Sequence, residues 1–278
     1  MSAGVRERGP ARFLLAMTTL AVLAFLVAPI AVVFPLSLSS GELLTLPVPG
    51  YSLRWYREFF TNDQWLLATR NSFVVGVATA IVATLLGTLG ALGLFLGRFR
   101  GKALLVGLLS TPMVVPVVVT AAAVYFAFAL VGLNNTLIGL VLAHTVLSVP
   151  YVLITVLATL QTFDRNLLKA AATLGAPPHV AFVRVVLPSI APGVATGALF
   201  AFPTPSDELI VALFVASPPQ FPLPRQMCAG LREFLSPTIA AAAVLLIGCS
   251  LVLLALNEWV RARATARTRS TAAAAARG

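Results

Sequence analysis

The sequence predicts an all-α membrane protein with six transmembrane helices and both termini in the cytoplasm, and three observations carry that expectation. Of 278 residues, 59% are hydrophobic and 10% are charged, whereas a soluble domain carries about a quarter charged residues. Uncharged runs of roughly 18 residues or more recur, which is enough to cross a bilayer as helix. Basic residues gather on alternate connecting segments, as the positive-inside rule requires.

The first span is expected at 13–36, behind a short cytoplasmic N-terminus, 1–12. Arg6, Arg8 and Arg12 ahead of an apolar run resemble a secretory signal. The run exceeds the about 7–15 residues of a signal core, however, and no small-x-small cleavage site closes it, so it is read as a retained span. Trp55, Tyr56 and Trp65 suit an interfacial aromatic belt on the following external loop. The second span is expected at 72–96, where Gly76, Gly87, Gly90, Gly93 and Gly97 suggest close helix packing. The third, 103–131, is long enough to be tilted or partly interfacial. The fourth is expected at 136–160, the fifth at 190–215 and the sixth at 238–258. Pro112, Pro116 and Pro150 are tolerable in a bundle whose neighbours satisfy the freed carbonyls. Asn71 and the pair Asn134-Asn135 sit at span ends, where capping or turns explain them. Cys228 falls on an external loop and Cys249 in a span, so no disulfide is expected. Residues 259–278 form a basic cytoplasmic tail, Arg-, Thr- and Ala-rich, whose last dozen residues read as disordered.

The net charge of +10 raises nucleic acid as a partner, but its distribution points elsewhere. Arg6, Arg8, Arg12, Arg98, Arg100, Lys102, Arg165, Lys169, Arg184, Arg261, Arg263, Arg267, Arg269 and Arg277 hold 14 of the 19 basic positions, all on the N-terminus, second loop, fourth loop or tail. Arg54, Arg57, Arg70, Arg225 and Arg232 occupy the intervening segments. No aromatic-basic platform accompanies the charges, so nucleic acid is not expected. Catalytic chemistry is equally hard to find. His144 and His179 are the only histidines, and neither belongs to a metal-spaced cluster or a His-Glu-x-x-His helix. No Gly-x-Ser-x-Gly elbow occurs. The run Gly97-Arg98-Phe99-Arg100-Gly101-Lys102-Ala103 is one residue short of a phosphate loop and ends in Ala where Ser or Thr would hold magnesium. The chain is therefore read as no enzyme, with no cofactor and no metal, and any energy for pumping would come from a partner.

The most informative segment is the polar and small-residue island inside the loop 161–188. Lys169-Ala170-Ala171-Ala172-Thr173-Leu174-Gly175 leads through Ala176 and Arg184 to Val185-Val186-Leu187-Pro188. It reads as two short helices broken by Gly175 and the pair Pro177-Pro178, since Gly suits a helix C-terminus and Pro a first turn. Leu167, Ala171 and Leu174 share one face of the first helix, and Val180, Val183 and Leu187 can share one face of the second.

This segment resembles the cytoplasmic loop of binding-protein-dependent ABC importer permeases. The family pattern is Glu-Ala-Ala, three residues, Gly, nine residues, then Ile-x-Leu-Pro. Ala170, Ala171, Gly175, Leu187 and Pro188 match at full spacing, Val185 replaces Ile, and Lys169 reverses the charge of the family Glu. The likeness extends over roughly 60–258, the expected permease core. Asn71-Ser72-Phe73-Val74-Val75 and Pro112-Met113-Val114-Val115-Pro116 resemble the family core. His144-Thr145, Pro150-Tyr151, Asp207-Glu208 and Phe234-Leu235-Ser236-Pro237-Thr238-Ile239-Ala240-Ala241 resemble the spermidine/putrescine branch in particular.

The resemblance implies a type I ABC importer permease fold in a bacterial inner membrane. It implies pairing with a second permease subunit, ATP-binding cassette ATPase subunits below, a periplasmic or lipid-anchored solute-binding protein above, and a small cationic solute such as a polyamine. Lys169, Ala170, Ala171, Gly175, Leu187 and Pro188 would then couple to the ATPase, an amphipathic helix lying in a groove with its apolar face inward.

Asp207 and Glu208 stand late in an apolar run. An acid at a helix centre in the bilayer costs about 2.5–3.5 kcal/mol on the insertion scale, so such residues face a cavity or a partner. Pro203 and Pro205 should break or kink the helix beside them and open carbonyls to a cavity. A cationic solute would be drawn to the pair; alternatively the acids cap an interfacial turn or pair with Arg225. His144, inside the fourth span, is read as a packing residue or a member of the solute pathway. Import of another small solute remains open, as does a stand-alone secondary transporter, which would show paired broken spans or repeated halves; the sequence shows no such internal symmetry.

Overall fold

Apolar runs of this length have no option in lipid but to satisfy their own backbone as helix, and the chain does so almost throughout. The computed structural model describes residues 10–233 and 236–275, with side chains for 13–231 and 236–259. Of the basic N-terminus expected at 1–12, residues 1–9 and the side chains of 10–12 lie outside the described residues, as do Phe234-Leu235 and the tail side chains from 260 on. The chain divides into two units, Met1–Asn62 with Ala229–Gly248, and Asp63–Cys228 with Cys249–Gly278.

In the first unit, α1 (Pro10–Ser37) is apolar all round, and its most apolar stretch has no buried residue. The following loop is held by Trp55 Nε1, which donates to Ser39 O at 2.7 Å, and by a 2.8 Å bond between Tyr56 Oη and Ser37 Oγ. Trp55 lies in the first turn of the short helix α2 (Arg54–Thr61), which buries Trp55 and Phe59 one turn apart. The interfacial belt expected of Trp55 and Trp65 is therefore not what these residues form: both are buried. An indole near a span end reads as an interfacial anchor, but here tertiary packing covers it.

The second unit opens with α3 (Asp63–Leu96), which begins at Asp63 and not at 72. The third expected span is two helices, α4 (Lys102–Val114) and α5 (Val117–Val131), meeting at 102°. Pro116 is the cause. It forces Val115 into an extended conformation (φ −69°, ψ 134°), as the residue before proline prefers. At 1.5 Å per residue each half is only about 20 Å long, short of the about 30 Å hydrocarbon core. The single tilted span expected at 103–131 is thus corrected to a broken pair. α6 (Leu137–Gln161) follows, capped by Thr136 Oγ1, which accepts from Gly139 N at 2.9 Å.

The loop 161–188 contains α7 (Asn166–Thr173) and α8 (Pro178–Ala181). α8 is not a separate short helix, as the sequence suggested. It passes through a π-turn at Phe182–Val186 into α9 (Leu187–Ala201), with Leu187 N bonding Phe182 O. Pro188 is the second residue of α9, just past the π-turn, and lacking an N–H it omits one bond from the ladder of the running helix. The fifth expected span breaks again, into α10 (Thr204–Asp207) and α11 (Leu209–Val215). α12 (Leu223–Glu233) and α13 (Thr238–Ala275) complete the chain. α13 continues helically past Glu258, through residues where the sequence suggests a disordered tail. Among the described residues, five helical stretches are long and apolar enough to span a membrane, and the bent pair makes six.

The core of the second unit joins α3, α6 and α9, with Ala83, Leu153, Val156, Leu160 and Ile190 fully buried. Val152 of α6 is gripped from two sides. A Cβ on Gly87 would stand 2.6 Å from Val152 Cβ, and one on Gly197 would stand 3.0 Å from Val152 Cα. Small residues let transmembrane backbones approach in this way. Gly87→Ala is therefore expected to destabilise the purified protein by about 1–3 kcal/mol, the usual range for overpacking. Gly93→Ala is its control, since a Cβ there meets nothing within 4 Å. Thermal unfolding in detergent should separate the two; equal melting temperatures would refute the packing argument.

Candidate functional site

Two places on the second unit carry candidate function: the loop 161–188, and a cavity framed by the two helix breaks. The first is built on a backbone turn. Gly175 adopts φ +76°, a left-handed conformation that is nearly free for glycine and costly for residues bearing a Cβ. Its N–H bonds Ala172 O at 3.0 Å, and Ala176 N bonds Ala171 O at 3.0 Å. That pair of bonds is the Schellman ending of a helix, satisfying carbonyls that α7 would otherwise leave orphaned. Pro177 is then extended, and α8 starts with its first N–H bonds returning to Pro177 O. The turn is thus fixed by backbone geometry and needs no side-chain contact at Gly175.

The turn leaves apolar side chains facing outward. Leu174 is 87% exposed, and Leu167, Val183 and Leu187 are exposed as well, while α7 buries no residue. Leu168, Phe163 and Phe182 face the other way and pack on the core. Lys169 is exposed and donates to Asn166 Oδ1 at 3.2 Å within its own helix. Ala170, Ala171, Gly175, Leu187 and Pro188 all lie on this compact hairpin of helices, as their spacing suggested.

The cavity has a volume of about 460 Å³. The break between α4 and α5 supplies Pro112, Met113, Val115 and Val117; α6 supplies Leu147 and Tyr151; the break after α9 supplies Phe200, Pro203, Thr204, Asp207 and Glu208. Pro203 and Pro205 interrupt the helix as expected, and Glu208 is extended (φ −103°, ψ 101°). Gly76 admits this break to α3, since a Cβ there would lie 2.9 Å from Phe202 O. The halves beyond the breaks support one another, α5 packing on α6 and α11 through Ala121, Ala143, Leu147, Val211 and Val215.

The two acids have different surroundings. Glu208 Oε1 accepts from Ile210 N at 2.7 Å and so caps α11. The Asp207 carboxylate makes no hydrogen bond or ion pair among the described residues, and it also borders a second cavity of about 220 Å³ with Phe200, Leu254 and Asn257. Arg225 pairs with neither acid; its guanidinium lies 4.2 Å above the Phe221 ring. His144 is fully buried on α6, one turn before Leu147 and Ser148. Its Nδ1 bonds Leu140 O at 2.8 Å, while Nε2 completes no hydrogen bond among the described residues, although the ring interacts with the Glu208 backbone. It does not line the cavity that brings Asp207 and Glu208 together.

Asn71 and Ser72, named in the sequence reading, have other roles here, and Asn257 escaped it. Asn71 is no cap. It lies inside α3 and donates to Pro219 O at 3.0 Å and Phe221 O at 3.2 Å, while Ser72 Oγ accepts from Leu223 N at 2.7 Å. Together they fasten the segment after α11. Asn257 is buried with an unbonded Oδ1; an amide near the end of an apolar run was its available signal.

Comparison with known proteins follows the same outline. The family model described as "Binding-protein-dependent transport system inner membrane component" matches residues 83–266. The spermidine/putrescine transport system permease protein PotC of Escherichia coli (strain K12) is 31% identical over 240 residues, covering 86% of this chain and 90% of that protein. The putrescine transport system permease protein PotI of the same organism is 32% identical over 231 residues, 81% of this chain and 82% of the relative. Among solved structures, a bacterial alginate ABC transporter in complex with alginate pentasaccharide-bound periplasmic protein contains a chain of the same fold. Its TM-score is 0.67 at 15% identity, covering 89% of this chain and 92% of that one.

Proposed function

This chain belongs to the family of binding-protein-dependent transport system inner membrane components, as a multi-pass permease subunit of an ABC importer, and we propose that its solute is a polyamine. In this reading Asp207 meets the ammonium group at the break in the fifth span. A second permease subunit completes the pathway, a solute-binding protein delivers the solute from outside, and ATPase subunits receive the hairpin at 166–188. Both termini then face the cytoplasm, on the strength of the charge distribution. The observation that carries the polyamine reading is a carboxylate, Asp207, on a cavity wall with no cationic partner among the described residues. The polyamine permeases that the chain resembles over most of its length support it.

The hairpin explains how ATP binding would reach the spans. Gly175 and the two prolines set a stiff corner, and the π-turn passes without interruption into α9, whose far end at Ala201 leads into the break that carries Pro203 and Asp207. A movement of the hairpin therefore acts along one continuous helix on the break where the solute would sit. Paired broken spans would also suit a stand-alone secondary transporter, so the breaks at 115–116 and 202–208 do not discriminate; family membership does. Reconstitution with the partner permease, ATPase and binding protein tests the solute. ATP-driven uptake of labelled spermidine or putrescine is expected, and a system that imports a neutral sugar but no polyamine would sink the assignment.

A further inference from the structure

We propose that a cavity at the ends of α3 and α6, distinct from the two already described, binds the phosphate headgroup of an anionic phospholipid. The cavity holds about 490 Å³. Leu94, Phe95, Val106 and Leu157 form an apolar wall, and Lys102 and Arg165 stand on its rim. Such a site takes a ligand that is anionic at one end and aliphatic at the other.

The cations are placed and unspent. Arg165 is steadied by one bond, Nη2 to Phe95 O at 2.8 Å, and by stacking 4.3 Å above the Phe95 ring. A guanidinium has five N–H donors, and the remainder suit a phosphodiester. Lys102 Nζ lies 5.6 Å from the Phe99 ring centroid and makes no hydrogen bond or ion pair among the described residues. The adjacent acid, Asp164, forms no ion pair with either cation among the described residues; its Oδ1 accepts from Asn166 N at 2.9 Å.

The position favours a lipid over a soluble anion. The cavity lies where α3 and α6 end, beside the basic turn that carries Arg98 and Arg100. Its wall runs onto α4 through Ala103 and Val106, which with Leu94 and Leu157 offer an acyl chain an apolar surface that free phosphate would not need. Basic pockets between spans recognise anionic headgroups in this manner. Arg165 immediately precedes α7, so an occupied site would brace the root of the hairpin at 166–188 and make transport respond to membrane composition.

The test uses the intact importer, extracted from membranes containing phosphatidylglycerol and phosphatidylcholine, with retained lipid counted by native mass spectrometry. Preferential retention of phosphatidylglycerol is expected, falling about five-fold in Lys102→Gln and again in Arg165→Gln, and recovering in Lys102→Arg. Melting temperatures without anionic lipid verify folding; should Arg165→Gln fail to fold, Lys102→Gln decides alone. Retention indifferent to headgroup, or unchanged by Lys102→Gln, overturns the proposal. So does displacement of the lipid by millimolar inorganic phosphate, which would mark a soluble-anion site. A photo-crosslinker at position 103, on the cavity lining and leaving both cations in place, should capture lipid; capture of a partner protein instead would also overturn the proposal.

Discussion

Replacing Gly175 by valine is expected to abolish most solute uptake, by ten-fold or more, while the permease reaches the membrane at its normal level. The reasoning is conformational. Gly175 holds φ +76° with open space around it, so a new side chain meets no clash and the whole penalty lies in the backbone. A residue with a Cβ loses about 1–2 kcal/mol in the left-handed region, and a β-branched one has least tolerance for it. Two outcomes compete: the turn persists with strain, or α7 swings out of line with α8. The Schellman bonds here stabilise a corner of only eight helical residues, too few to hold a strained geometry against the alternative. Once the corner opens, Leu174 no longer presents its exposed face where an ATPase groove would receive it. Gly175→Asp should uncouple less completely and Gly175→Asn least, because Asp and Asn enter the left-handed region more readily. Uptake and binding-protein-stimulated ATP hydrolysis should fall together in that order. Full uptake by the valine variant at normal expression would remove the hairpin from the coupling path.

The sequence revealed the hairpin because its signals are local. Gly at C′ and Pro at N1 act within a single turn, and a helix end is decided there. The break at Pro203 and Pro205 was legible for the same reason, with two prolines and two acids in six residues leaving no continuous helix possible. The break at Pro116 was not, although proline announced it equally loudly. A proline inside a span is compatible with a kink, a tilt or a right-angle turn, and what selects the 102° bend is the surface of α6 and α11 on which α5 lands. Trp55 and Asn71 misled in a related way. An indole or an amide near the end of an apolar run has two good partners, the lipid interface or another segment's carbonyl. Only the fold shows that Trp55 found Ser39 O and Asn71 found Pro219 O. The passage from α8 into α9 was hidden by Pro188, which reads as a fresh helix start but sits just behind a π-turn that keeps the helix running.

The second large effect is an asymmetry between neighbours. Asp207→Asn is expected to lower polyamine uptake by about ten- to a hundred-fold, corresponding to the roughly 1.5–3 kcal/mol of a charge-assisted hydrogen bond. Glu208→Gln should be close to neutral, although it removes the same charge. The difference follows from what each carboxylate does. Glu208 is engaged with Ile210 N at 2.7 Å as the cap of α11, a role that a glutamine carbonyl can keep. Glu208→Ala should lose it, at about 1 kcal/mol of stability. Asp207 has no partner among the described residues and borders both cavities, so its charge is available to a solute. Docking of the binding protein and basal ATP hydrolysis should be unchanged in Asp207→Asn, because the lost charge lies on a cavity wall. Measuring both alongside uptake separates a lost solute contact from a misfolded permease. A solute that ignored this carboxylate would leave Asp207→Asn transporting normally, and would transfer the search to solutes with no positive charge. The reverse asymmetry, Glu208→Gln crippled and Asp207→Asn intact, would mean that the capping carboxylate is released during transport and that Asp207 is its spectator.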